Sequence, residues 1–118
     1  MLKWLIVIAG VLCNAAASVV AKTAPPITLA SPLANLGNWR LLLAIALYGA
    51  AFLLYTLALQ HLPLNVAHPI STAGAIVLVG FASALLFGEA FTPLRLGGYL
   101  LLCGGICLLL LSEIGRAQ

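Results

Sequence analysis

From Leu41 through Gly88 the chain carries no Asp, Glu, Lys or Arg, a run of 48 residues. As one helix it would be about 72 Å long at 1.5 Å per residue, whereas a bilayer core is about 30 Å thick. The run therefore predicts two spans and a tight reversal, and Gln60-His61-Leu62-Pro63-Leu64-Asn65 is its polar, proline-bearing interruption. Upstream, Leu2 to Lys22 is apolar with charges only at its ends, long enough for another span. Thr23 to Asn38, with Pro25, Pro26, Pro32 and Gly37, reads as a loop with a short interfacial turn. Downstream, Thr92-Pro93 has the N-cap and first-turn proline pattern of a helix start. The prediction is an all-α integral membrane protein of one transmembrane domain, 1–118, with four transmembrane helices at about 2–22, 39–60, 64–87 and 92–113. Short connections make neighbouring helices antiparallel, so the last three are expected to form a compact up-down set, with both termini on one side.

Composition sharpens this picture: 64% of residues are hydrophobic and 6% charged, with a mean hydropathy of +1.23. Such a chain has too little polar surface to cover a globule in water. A water-soluble enzyme and a nucleic-acid binder are excluded, and the net charge of +3 comes from scattered residues rather than a basic patch. Lysine and arginine give almost no orientation bias, with Lys3 and Arg116 on the side of the termini and Lys22, Arg40 and Arg95 on the other. Cys13, Cys103 and Cys107 lie in apolar stretches without His or acidic companions, so no metal site is expected. No nucleophile–base set and no phosphate loop is present, so the reading is of a protein without catalytic residues or cofactor.

Polar residues inside the spans are the candidates for function. In the first span Gly10, Asn14, Ser18 and Lys22 recur every four residues and share a face, with Asn14 near mid-membrane. An amide there must face protein or a wet cavity, so Asn14 is read either as cavity lining or as an interhelical hydrogen bond. Lys22 is expected to snorkel to the headgroups. The third span opens with Asn65, His68, Ser71, Thr72 and Ala75 near one face, and Pro69 removes a backbone donor beside them. Tyr48, Phe52 and Tyr55 share a face of the second span, where tyrosine hydroxyls need partners. Gly97, Gly98, Gly104 and Gly105 repeat at seven residues on the fourth span and make a smooth stripe suited to helix packing or dimerisation. No carboxylate lies deep in a span: Glu89 falls in a loop and Glu113 in the last turn.

The segment Leu62-Pro63-Leu64-Asn65-Val66-Ala67-His68-Pro69 and the segment Phe87-Gly88-Glu89-Ala90-Phe91-Thr92-Pro93, followed by Gly97, Gly98 and Gly104, resemble the drug/metabolite transporter superfamily. The resemblance extends over nearly the whole chain and is densest from Leu57 to Leu111. Two branches compete, the small multidrug resistance transporters and the EamA-like subunits that flip aminoarabinose-phosphoundecaprenol and similar lipid-linked sugars. The multidrug branch uses a glutamate in the first span for protons and cations; here that place falls on Asn14, with Lys22 in the place of a later lysine. The tyrosine and tryptophan of its third span fall on His68 and Ser71. Pro69 and the Gly88-Glu89 pair resemble the lipid-sugar flippase subunits more closely. That resemblance implies a multi-pass bacterial inner-membrane subunit. It would act as a homodimer or as a heterodimer with a similar four-helix subunit, and would translocate a membrane lipid or lipid-linked sugar. The cavity would be lined by Asn14, Ser18, Tyr48, Tyr55, His68, Ser71 and Thr72, with Lys22 or Arg40 as the phosphate partner. The alternatives are a small multidrug resistance-type exporter of cations or metabolites and a non-transporting assembly subunit.

Overall fold

The computed structural model describes residues 1–116. It contains helices α1 (Leu2–Thr23), α2 (Trp39–Leu59), α3 (Leu64–Phe87) and α4 (Pro93–Arg116), with a 3₁₀ turn at Pro32–Gly37 between α1 and α2. All four are long and apolar enough to cross a bilayer. Among the described residues there is no strand, in keeping with the rule that a lipid-embedded backbone must satisfy its own N–H and C=O groups. The chain is thus an all-α, four-helix membrane protein. Helix α4 runs on to Arg116, past the span end expected at 113.

Local chemistry explains the boundaries. Asn38 caps α2 by accepting from the Leu41 N–H at 3.2 Å, and Thr92 caps α4 by accepting from the Arg95 N–H at 3.2 Å. Helix α3 ends at Gly88, whose φ of 63° is the one positive value in the chain's described backbone. The Gly88 N–H and the Glu89 N–H, the latter at 3.4 Å, both turn back to the Ser83 carbonyl, a Schellman-type ending that a Cβ would strain. The long first connection is tied internally: Asn35 exchanges two hydrogen bonds with Thr28, at 3.0 and 3.1 Å. Arg40 Nη1 donates to the Thr23 carbonyl at 2.9 Å and so satisfies an end of α1.

The arrangement of the helices differs from the sequential up-down set that short loops suggest. Helix α1 packs along α2 and against α3, α3 carries α4, and α2 and α3 meet only sparsely. The reason is the distribution of small residues. The buried residues of α2 are Ala44, Ala51 and Ala58, seven apart, and α1 presents Gly10 to α2, with the buried Ala17 seven residues on. Small side chains at heptad spacing let two helices approach closely, and dispersion is what drives association in lipid. A Cβ added to Gly10 would sit 3.4 Å from Leu54 Cβ and 3.7 Å from the Ala51 carbonyl oxygen. The buried cluster of Val7, Val11, Ala58, Leu62, Val66, Ala67, Ile70 and Ala75 gathers about the end that holds the α2–α3 hairpin.

The α3–α4 contact is built differently. Tyr99 lies over the buried Gly80, where an added Cβ would clash with the Tyr99 hydroxyl oxygen and Cζ. Phe91 stacks on both Tyr99 and Phe81, with centroid separations of 5.4 and 5.5 Å. The glycines expected to pack, Gly97, Gly98, Gly104 and Gly105, have nothing within 4 Å of an added Cβ. No helix of the same chain covers them, because α4 meets α3 through Tyr99 instead. Gly80→Ala is expected to destabilise the fold by about 1–3 kcal/mol in reversible unfolding from detergent micelles, through overpacking. In a Tyr99→Ala background the same substitution is expected to cost less than about 0.5 kcal/mol, because the clash is gone.

Candidate functional site

Two cavities run along α1 and share Asn14 and Thr72. The first, about 240 Å³, lies between α1, α2 and α3 and is lined by Ile6, Gly10, Asn14, Tyr48, Phe52, Tyr55, His68, Ser71 and Thr72, among others. The second, about 750 Å³, lies between α1, α3 and the start of α4. Its lining includes Asn14, Ser18, Lys22, Thr72, Ala75, Ser83, Glu89, Arg95, Gly98 and Tyr99. From Ile6 to Lys22 the two follow about 24 Å of helix axis, most of the thickness of a bilayer core.

Two hydrogen-bonded pairs, Ser18–Tyr48 and Tyr55–His68, link the helices around the first cavity. Ser18 Oγ donates to the Asn14 carbonyl at 3.1 Å and lies 2.8 Å from Tyr48 Oη. A serine has one hydroxyl hydrogen, so with that bond made the Tyr48 O–H is the donor to Ser18 Oγ. The pair pins α2 to α1 and gives the Tyr48 hydroxyl the partner it needs in lipid. Tyr55 Oη is 3.1 Å from His68 Nδ1, with the rings edge-on at 5.8 Å. That contact leaves His68 Nε2 without a partner among the described residues, on a side chain that lines the first cavity.

Three hydroxyls, those of Thr23, Thr56 and Ser83, are satisfied by their own helices, each donating back to a carbonyl three residues earlier, at 2.8, 2.7 and 3.0 Å. Asn14, Ser71 and Thr72 are different. Among the described residues their side chains make no hydrogen bond, and all three line the first cavity. Of the two readings open for Asn14, the interhelical hydrogen bond is therefore not the one formed within the chain. A carboxamide and two hydroxyls at this depth present donors and acceptors to whatever occupies the cavity.

The second cavity contains groups that sequence reasoning did not assign to a site. Lys22 does not simply snorkel: its Nζ pairs with Glu89 and lies 4.7 Å from the Phe87 ring centroid. Arg95 joins the lining, its Nη1 donating to the Ala90 carbonyl at 2.9 Å. The side chains of Lys22 and Glu89 are 50% and 36% exposed, and a pair so exposed contributes at most about 1 kcal/mol. Arg40, the other expected phosphate partner, lines neither cavity; it caps α1 and lies 5.4 Å from the Trp39 ring centroid. Asn65, placed on the same face of α3 as His68 by its spacing, lies outside both linings. The signal that would have found Glu89 is the Gly88 reversal, which turns the chain after α3 back toward the end of α1.

No protein-family model matches the sequence. The nicotine metabolites export pump subunit NepB of Paenarthrobacter nicotinovorans is 41% identical over 69 residues, which is 58% of this chain and 42% of that protein. The probable 4-amino-4-deoxy-L-arabinose-phosphoundecaprenol flippase subunit ArnF of Sodalis glossinidius (strain morsitans) is 36% identical over 63 residues, 52% of this chain and 48% of that protein. The four-helix build fits a small multidrug resistance-like subunit. The match spans less than half the length of either curated relative and just over half of this chain, a shorter stretch than the near-complete resemblance expected from its motifs.

A double-mutant cycle checks the α1–α2 tie. Ser18→Ala and Tyr48→Phe are expected to show a coupling of about 0.5–1.5 kcal/mol in unfolding from micelles, the range for a hydrogen bond between membrane helices. A coupling of zero would mean that the two hydroxyls are satisfied separately.

Proposed function

We propose that the chain is a transporter subunit that moves an amphipathic metabolite, best read as a lipid-linked sugar, across a bacterial inner membrane. The observation that supports this reading is the unpaired Asn14 carboxamide at the junction of the two cavities, with the Ser71 and Thr72 hydroxyls lining the wall around it. A polar headgroup meets there the donors and acceptors it loses on leaving water, while its hydrocarbon tail stays in lipid. His68 Nε2 and the Tyr55–His68 pair extend the same polar wall. Similarity to the ArnF flippase subunit supports a headgroup of this kind.

Four helices enclose little volume, and α4 has no buried residue. The working unit is accordingly two four-helix subunits, either two copies or this chain and a similar one. The Gly97, Gly98, Gly104 and Gly105 stripe is then available for the contact between subunits.

A second reading, export of a small soluble metabolite, is favoured by the similarity to NepB and by Tyr48, Phe52 and Tyr55 on one wall of the first cavity. Native mass spectrometry of the gently extracted protein separates the two: a dimer or heteromer carrying a polyprenyl-phosphate sugar supports flipping, and a dimer without it moves export to first place. Transport tests the cavity itself. Asn14→Ala and His68→Ala are each expected to lower transport roughly tenfold at unchanged membrane abundance, because a substrate polar group loses its partner. Unchanged transport in both variants would remove these residues from the path.

A further inference from the structure

We infer that the second cavity carries an anion site at its mouth, formed by Lys22 and Arg95, and that Glu89 is a built-in competitor for it which a phosphate-bearing ligand displaces. The inference rests on the transporter reading for its setting, but its own support is electrostatic. The lining of this cavity holds two cations, Lys22 and Arg95, against one carboxylate, Glu89, so it keeps an excess of positive charge. Lys22 is already engaged by Glu89, whereas Arg95 has no carboxylate partner among the described residues and donates through Nη1 to a backbone carbonyl. A guanidinium has five N–H donors in a planar fork, and most of this one's remain for a ligand oxyanion.

The Lys22–Glu89 pair is suited to exchange. Its two side chains are half and about a third exposed, so it is weak. A phosphodiester carries one charge on two non-bridging oxygens and a monoester up to two charges on three, and either engages a lysine and an arginine together where the Glu89 carboxylate engages the lysine alone. Glu89 sits directly after the Gly88 reversal, on the short link between α3 and α4, while Lys22 is in the last turn of α1. Displacing Glu89 therefore unties α1 from the α3–α4 link at the point where a headgroup enters. From there Ser18 and Asn14 lie along about 12 Å of α1, and with Thr72 of α3 in the same lining they lead to the first cavity. The ligand is a phosphate oxyanion, borne either on a lipid or on a soluble metabolite.

Equilibrium binding to the full chain in phosphatidylcholine nanodiscs, read by native mass spectrometry, tests the assignment with geranylgeranyl monophosphate and inorganic phosphate as probes. Glu89→Gln is expected to tighten binding several-fold. Arg95→Gln is expected to weaken it about tenfold, and Arg95→Lys to restore the part of the loss owed to charge but not the part owed to the planar fork. If Glu89→Gln fails to fold, the Arg95 pair of variants decides alone, since Arg95 lies outside the ion pair. This pattern with geranylgeranyl monophosphate alone assigns the site to a lipid headgroup; the same pattern with inorganic phosphate as well assigns it to phosphate from either source. Binding of both probes unchanged by Glu89→Gln and Arg95→Gln overturns the proposal. So does tetraphenylphosphonium binding that is lost in Glu89→Gln and strengthened in Arg95→Gln, which would make Glu89 a cation site. A failure here leaves the Asn14 and His68 transport test standing, and the reverse also holds, because one reads equilibrium binding at the mouth and the other transport through the interior.

Discussion

Everything in this molecule depends on the close approach of α1 to α2. In a bilayer, burying apolar side chains against one another gains little, because lipid tails are as apolar as leucine. Helices associate where backbones can come near, and here that is the line of Ala44, Ala51 and Ala58 on α2 facing the small residues of α1. With α1 seated there, α3 packs against it as well, and α2 and α3 meet only sparsely although a short turn joins them. The gap that results is the first cavity. Polar groups that would be costly in hydrocarbon then have a place to face.

The rest of the polar chemistry follows from where α1 lies. Asn14 lines both cavities because they meet along its helix, and Ser18 reaches Tyr48 because α2 is close enough for a hydrogen bond. The apolar cluster closes the end near the α2–α3 hairpin, while Lys22, Glu89 and Arg95 line the second cavity at the opposite end. On the proposed reading a substrate would meet hydrogen-bonding groups in the interior and net positive charge at the mouth of the second cavity.

Much of this was legible from the chain alone. Four spans follow from length, hydropathy and the placement of proline and glycine, since a bilayer of fixed thickness admits few other solutions. The four-residue spacing of Gly10, Asn14, Ser18 and Lys22 puts them along one helix face whatever the neighbours are, and Asn14, Ser18 and Lys22 line the second cavity together. Tyr48, Phe52 and Tyr55 share the first cavity for the same reason.

What local pattern does not contain is which helix lies beside which. The partner of a face depends on close packing between segments distant in sequence, and small residues such as Ala44, Ala51 and Ala58 carry no hydropathy signal that distinguishes a seam from ordinary membrane composition. Hence the central position of α1, the seating of Tyr99 on Gly80 and the pairing of Lys22 with Glu89 emerge only in three dimensions. Periodicity assigns a residue to a face; tertiary packing decides whether that face meets another helix, a cavity or lipid. The stripe at Gly97, Gly98, Gly104 and Gly105 shows the difference, for its spacing announces close contact while the packing of this chain leaves it uncovered.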